Sequence, residues 1–441
     1  MKVGMITLGC AKNTVDTEIM LADLKQRAYQ IVSDPSQAEV LVINTCGFIE
    51  AAKRESLETI LEMAGWKQDG DCQSLIVTGC LTQRYGKQIM EDMPEVNGVL
   101  GTGNFHRLDE VIQRTLSGER VLLIEQPTFD YDQVRPRLRV TPAHSAYVKI
   151  AEGCDNRCSY CAIPLVRGGY RSRKQESILS EVAQLAAQGT VEINLIAQDT
   201  TRYGQDRNGQ LLLPGLLRSL LTIPGPSWFR LLYGYPTHFT DELIELLATE
   251  PRLVKYLDVP LQHISSRILR EMNRPDDVEQ VRRLIRKLRQ RIPDLTLRTT
   301  FIVGFPGEQE SDVQLLAEFM QEMEFDHVGV FAYSQEEGTA AAQRQDQVPP
   351  TVREQRRQRL MALQQPISRR RNQRFVGRTI PVLVEGNWPA GNGVFGRGQK
   401  DAPEVDGLVY VHDAQGTQPG TIIDVEICAA KDYDLVGVAR K

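Results

Sequence analysis

The chain has 441 residues, a net charge of −5 and a hydrophobic fraction of 41%. That length suffices for two to four domains with ample core and no disulfide staples, and no window approaches the roughly 18 apolar residues of a membrane-spanning helix, so the chain reads as soluble. Eight cysteines without an export signal point to the reducing cytoplasm, where thiols serve more often as metal ligands than as disulfides. Met1 to Cys10 ends in Leu-Gly-Cys, but ten residues are too few for a basic leader and an apolar run.

The first ~135 residues alternate apolar strands with amphipathic helices, the pattern of a parallel sheet covered on both faces. Val3 to Leu8 runs into Gly9-Cys10, Val40 to Asn44 into Thr45-Cys46, and Leu75 to Thr78 into Gly79-Cys80. Ligands of open α/β sheets bind outside the carboxyl ends of the strands, so neighbouring strands would bring Cys10, Cys46 and Cys80 together as a cluster site. Taken singly, each is a small buried thiol. Cys72 and Cys428 lack this context and are expected to be unligated.

Val134 to Ala143, with Pro136 and Pro142 among basic residues, reads as an interdomain linker. Beyond it, strand-like runs at Tyr147 to Ile150, Glu192 to Ala197, Trp228 to Tyr233, Tyr256 to Val259, Thr296 to Val303 and His327 to Tyr333 alternate with helical stretches. Six βα units predict a partial barrel with its chemistry at the carboxyl ends of the strands. After the first of these strands, Cys154, Cys158 and Cys161 stand at CxxxCxxC spacing. Three thiolates so close need a cation, and soft sulfur selects zinc, copper or iron-sulfur centres. A closed zinc site wants a fourth ligand, and no second half-site follows before His238, so the incomplete cage points to an open metal position. A zinc knuckle or three buried thiols is the plain alternative.

The spacing, with Tyr160 before the last cysteine, resembles the signature of radical S-adenosylmethionine (SAM) enzymes. The resemblance implies a 4Fe-4S cluster whose free iron chelates SAM and cleaves it to a hydrogen-abstracting radical. Gln198 and Asp199 after the second strand, and Gly304 and Gly307 in the turn after the fifth, are with Tyr160 the expected SAM-cavity residues. A plain strand-to-helix turn competes for Gly304 to Glu308, and for His263 a tie into the barrel rim competes with a substrate contact.

Thr351 to Phe375 carries eight arginines and one glutamate on a helical period, either a solvated connecting helix or a contact for ribosomal RNA phosphates. From Gly377 onward, TIPVLVEG, GLVYVHD, TIIDVEIC and YDLVGVA alternate apolar and polar residues between glycine-rich turns, which predicts a small OB-like β barrel resembling the TRAM domain.

Two cysteine triads in this order, followed by a small β domain, resemble the methylthiotransferase family. LGCAKNTVDTE (Leu8 to Glu18) and INTCGFIEAAKRES (Ile43 to Ser56) are similar to the branch that modifies an aspartate of ribosomal protein S-twelve, and differ from the tRNA-modifying branch. The resemblance implies an α/β protein in three parts: residues 1–134 with an auxiliary 4Fe-4S cluster on Cys10, Cys46 and Cys80; residues 135–376 with linker, radical SAM domain and basic helix; and residues 377–441 as the TRAM domain. It further implies SAM as methyl donor and as radical source, an electron donor such as flavodoxin or ferredoxin, a monomeric cytoplasmic transferase, and hydrogen-atom abstraction that needs no general acid or base. A tRNA adenosine methylthiotransferase, and a zinc or iron-sulfur nucleic-acid-binding or electron-transfer protein, are the alternatives.

Charge bears on the substrate. Residues 377–441 hold six Lys or Arg against nine Asp or Glu, and residues 1–134 hold twelve against twenty, so their net charges are −3 and −8. Such surfaces repel phosphate and attract a basic ribosomal protein, and Asp401, Glu404 and Asp406 in KDAPEVDG are expected to dock it.

Overall fold

The structure is a computed structural model and describes residues 1–440 other than 130, 134, 275 and 389–391. It has two compact units: the first is Met1–Val140, Tyr147–Glu181 and Ser334–Ala342, the second Thr141–Ala146, Val182–Tyr333 and Gln343–Lys441.

The first unit is built on six parallel strands, β1 (Lys2–Thr7), β2 (Gln30–Val32), β3 (Val40–Thr45), β4 (Ser74–Gly79), β5 (Gly98–Leu100) and β6 (Val121–Leu123), in the order β2-β1-β3-β4-β5-β6. Every residue of β3 and β4 is buried, as a strand covered on both faces must be, which explains their unbroken apolar runs. β1, β3 and β4 are adjacent, with Thr7 paired to Asn44 and Thr45 to Gly79, so their carboxyl ends lie level. The sequence marks these three strands and not β2, β5 and β6, whose three residues apiece are too few for a period to emerge.

Helices α1 (Ala11–Gln26), α2 (Glu50–Asp69), α3 (Cys80–Asp92) and α4 (Leu108–Leu116) follow within the same sheet. Of the expected linker, Val134 lies outside the described residues, and Arg135 to Ala143 form no strand or helix. Arg137 is nevertheless pinned, with its guanidinium on the Glu18 carboxylate and 2.6 Å from Glu181.

β7 (Ser145–Lys149) leads into a short antiparallel ribbon of β8 (Ala151–Glu152) and β9 (Arg171–Ser172). The cysteine-rich loop and α5 (Ile163–Arg167) hang from this ribbon.

In the second unit β10 (Glu192–Ile196), β11 (Trp228–Leu231), β12 (Leu253–Asp258), β13 (Thr296–Val303) and β14 (His327–Ala332) pair in parallel in chain order, and the sheet order is β14-β13-β12-β11-β10-β7. Sequential order with helices between the strands is the βα repetition expected of the partial barrel. The last five strands, β15 (Thr379–Asn387), β16 (Gly393–Gly398), β17 (Val409–His412), β18 (Ile422–Ala430) and β19 (Leu435–Ala439), close a barrel in the order β15-β16-β17-β19-β18 around Val382, Val384, Val394, Val409, Val411, Val425 and Leu435. β16 is the strand absent from the sequence-based expectation. Its GVFGRG looks like a turn, but a Cβ on Gly396 would stand 2.1 Å from the Leu383 carbonyl oxygen, so the backbones approach too closely for a side chain.

The arginine-rich stretch forms one helix, Pro350–Gln373. Arg356 binds Glu308, Arg359 binds Glu310, Arg370 binds Glu324 and Arg371 binds Asp326, while Arg353 donates to the Val348 and Tyr333 carbonyls. These arginines face carboxylates and carbonyls of their own unit, which supports the connecting-helix view.

Candidate metal centre

The strand ends of the first unit place three cysteines within electrostatic reach of one another. Cys10 caps α1, Cys46 follows β3, and Cys80 opens α3. Two glycines make the approach possible. A Cβ on Gly9 would lie 2.7 Å from the Cys46 Cβ, and one on Gly79 would lie 2.5 Å from the Asn44 Oδ1; both residues have left-handed φ, 90° and 103°. Exposure is graded: Cys10 is exposed, Cys46 half-buried and Cys80 buried. Burial, and then the neighbouring Cys80, push the Cys46 thiol up to about 12. Burial also raises Cys80, with the Arg167 guanidinium opposing. Two of the three cysteines sit at helix N-termini, whose positive dipole end favours anionic sulfur.

Asn13 clamps this arrangement, a residue the sequence reading passed over. It is fully buried; its Nδ2 donates to the Leu8 carbonyl at 3.0 Å and the Thr45 carbonyl at 2.9 Å, the backbone just ahead of Cys10 and Cys46, and its Oδ1 lies 3.7 Å from the Cys80 Sγ. One side chain thus reaches all three strand ends. Asn44 extends the clamp by donating to the Asn13 carbonyl at 3.0 Å and to the Thr17 hydroxyl at 3.0 Å. An Asn three residues after a strand-end Cys was the available signal.

The second triad lies in the loop between β8 and β9, also in the first unit. Cys154, Cys158 and Cys161 are all half-buried. The Cys154 N–H donates to the Gly168 carbonyl at 3.1 Å, the Cys161 N–H to the Cys158 carbonyl at 3.0 Å, and the Ile163 N–H to the Cys161 sulfur at 3.4 Å. A backbone donor on sulfur favours the thiolate a metal needs. Tyr160 stands half-buried within the loop.

Among the described residues no three His, Cys, Asp or Glu side chains are disposed to hold a single metal ion. A four-iron cluster makes a different demand, because each cysteine binds its own iron and the sulfurs stand farther apart. Soft ligands, three per site and reachable from solvent at Cys10 or along the loop, fit such a cluster.

The remaining candidates lie in the second unit. Asp199 is buried; its carboxylate accepts from the Thr201 hydroxyl at 2.7 Å and the Arg202 N–H at 3.2 Å and stands 3.1 Å from His238 Nδ1. Gln198 beside it is half-buried. The chain's own packing accounts for both turn glycines: a Cβ on Gly304 would lie 2.2 Å from Arg353 Cγ, and one on Gly307 2.5 Å from Asp346 Oδ2. His263 is tied into the rim, accepting at Nδ1 from the Ile264 and Ser265 N–H groups at 2.9 Å each.

The expected acidic docking triad needs correction. Asp401 is 0% exposed and 2.5 Å from Lys400 Nζ, and the Asp406 carboxylate accepts from Tyr256 at 2.7 Å and the Ala402 N–H at 2.9 Å beside Arg298. Burial raises the Asp401 carboxyl, against Lys400. Only Glu404 is at the surface. Three acidic residues within six positions read as an exposed acidic surface, but the barrel folds two of the three carboxylates inward onto cations.

Three family models match the chain: the uncharacterized protein family UPF0004 over residues 2–101, the radical SAM superfamily over 148–320 and the TRAM domain over 376–439. The ribosomal protein uS12 methylthiotransferase RimO of Desulfitobacterium hafniense is 50% identical over 437 residues, 99% of this chain and 98% of that protein. Its namesake from Symbiobacterium thermophilum is 50% identical over 443 residues, 100% and 91% of the two chains. Among solved structures, the radical SAM methyltransferase TsrM from Kitasatospora setae, with cobalamin and a 4Fe-4S cluster bound, superposes with a TM-score of 0.57 at 17% identity over 75% of this chain and 74% of that one. The cobalamin-dependent radical SAM enzyme OxsB gives 0.52 at 13% identity over 77% and 54%. At such identities the likeness is one of fold.

Proposed function

The chain belongs to the RimO family of ribosomal protein uS12 methylthiotransferases, and from that membership we propose that it replaces a β hydrogen of an aspartate in uS12 by a methylthio group. SAM and iron-sulfur chemistry follow from the family and the radical SAM match. The number of clusters is proposed as two, one per triad. The observation that carries this is the meeting of Cys10, Cys46 and Cys80 at the level ends of β1, β3 and β4, in addition to the radical SAM triad.

When bound, these groups supply hydrogen-atom abstraction from the substrate carbon and the methylthio group that replaces the hydrogen. The protein supplies ligands and order. Cys154, Cys158 and Cys161 hold one cluster and Cys10, Cys46 and Cys80 the other. Asn13 fixes the strand ends, and the Ile163 N–H steadies the Cys161 sulfur. Tyr160, Gln198 and Asp199 remain candidates for lining the SAM cavity. The functional division proposed is 1–134, 135–376 and 377–441, in a monomer served by a small electron donor such as a flavodoxin or ferredoxin. The compartment proposed is the cytoplasm, where ribosomes are; no helix of the described residues is long and apolar enough to cross a membrane. The acidic balance of the N- and C-terminal parts would draw a basic substrate, so the reaction should weaken as salt rises.

Mass spectrometry of ribosomal proteins and tRNA from a deletion strain tests the substrate: the uS12 modification should vanish, and loss of a tRNA modification instead would reverse the assignment. In purified protein, Ala at Cys154, Cys158 and Cys161 should halve the iron and abolish SAM cleavage. Ala at Cys10, Cys46 and Cys80 should halve the iron and spare cleavage while stopping methylthio transfer.

A further inference from the structure

Arg167 ends α5, six residues beyond Cys161, yet its guanidinium lies at the other cysteine triad. Its Nη1 is 2.7 Å from Asp16 Oδ2 and 3.4 Å from Glu152 Oε2; its Nη2 donates to Asn13 Oδ1 and lies 3.6 Å from the Cys80 sulfur. Lys149 Nζ completes the group, 2.6 Å from both Asp16 Oδ1 and Glu152 Oε2 and 2.9 Å from the Tyr131 hydroxyl, which itself donates to Asp16 at 2.8 Å. Arg167, Lys149, Asp16 and Glu152 are each at most 4% exposed.

The two cations and two carboxylates of this buried group balance without any sulfur. A merely structural ion network would therefore be complete at Asp16 and Glu152. Arg167 nevertheless turns its second nitrogen toward Asn13 and Cys80, the residue that clamps the strand ends and the most buried thiol of the triad. A cation and N–H donor at a ligating sulfur is one of the levers by which a protein sets the potential of an iron-sulfur cluster, since reduction adds negative charge there.

We propose that Arg167 is the positioning residue that sets the reduction potential of the cluster on Cys10, Cys46 and Cys80, through its charge and its N–H at the Cys80 sulfur. The inference rests on the two-cluster assignment above. Arg167 belongs to the segment that carries Cys161, so one short helix joins the SAM-binding loop to the ligand shell of the other triad. The guanidinium makes the reduced, more negative form easier to reach, and removing it makes that form harder to reach.

The test uses the full-length Cys154→Ala/Cys158→Ala/Cys161→Ala protein, reconstituted anaerobically so that only the N-terminal triad can hold iron, and a reductive titration followed by electron paramagnetic resonance. Arg167→Gln should keep the parental iron and lower the midpoint by about tenfold in the reduction equilibrium, ~59 mV for one electron. Arg167→Lys should recover part of the shift, because it restores the charge without the fork. An unchanged midpoint in Arg167→Gln at parental iron content overturns the proposal. Because Arg167→Gln leaves the group one buried negative charge in excess, Asp16→Asn/Arg167→Gln is measured against Asp16→Asn alone; the double variant keeps Lys149 and Glu152 balanced, and equal midpoints there also overturn it. A parent without iron would instead refute the auxiliary cluster, a result distinguishable from the failure of Arg167.

Discussion

A single side chain, Asn13, illustrates how the metal centre is held. It donates to two backbone carbonyls, those of Leu8 and Thr45, and each buried polar group left unsatisfied costs about 1–3 kcal/mol. Asn13→Ala should therefore lower the unfolding midpoint by several degrees and remove iron from the N-terminal triad, while iron on Cys154, Cys158 and Cys161 remains; iron analysis beside thermal unfolding checks both. Asn13→Asp should fare no better, because it keeps Oδ1 but has no N–H for the Leu8 and Thr45 carbonyls. Asp401 and Asp406 teach the converse. They carry charge in the sequence, but Lys400, Tyr256 and Arg298 hold them inside the fold, where Lys in their place would bury like charges.

At the scale of elements, the ribbon of β8 and β9 decides whether the radical SAM loop can close. Gly153 leaves β8 with φ 81°, and a Cβ there would lie 2.0 Å from the Gly169 carbonyl oxygen. Gly153→Ala must push the two sides of the loop apart. It should cost the iron of Cys154, Cys158 and Cys161 and with it SAM cleavage, leaving about half the iron bound, as iron analysis and a cleavage assay would read. The helix Pro350–Gln373 shows how a charge run is absorbed by its surroundings: Arg356, Arg359, Arg370 and Arg371 each face a carboxylate.

For the molecule as a whole, one strongly depressed carboxyl in the second unit, Glu192, contributes to the pH response. Burial would raise this carboxyl, but the Arg397 and Arg230 guanidiniums, with Nη2 atoms 2.6 and 3.0 Å away, bring it from the ordinary 4.5 down to about 2. A carboxyl depressed in the folded state gives stability that is complete above its unfolded value and is lost as pH falls through the folded one. The loss falls between about 4.5 and 2 and is worth roughly 3 kcal/mol. The thermal midpoint of the wild-type chain should drop steeply across that window. Glu192→Gln should be less stable than wild type at neutral pH and lose less on acidification.

The sequence by itself determined the chemistry-bearing pattern: both cysteine triads, the βα alternation, the family and four of the five barrel strands. These are local signals, set by spacing along the chain and by two- and 3.6-residue periods. Tertiary structure decided what depends on approach between distant segments. It made a strand of GVFGRG, brought Asn13 and Arg167 to Cys80, gave Gly304 the Arg353 side chain as its neighbour, and buried Asp401 and the Asp406 carboxylate. A residue's type fixes what it can donate, accept or ligate; which partner stands within reach is set by packing, and no spacing in the sequence records that distance.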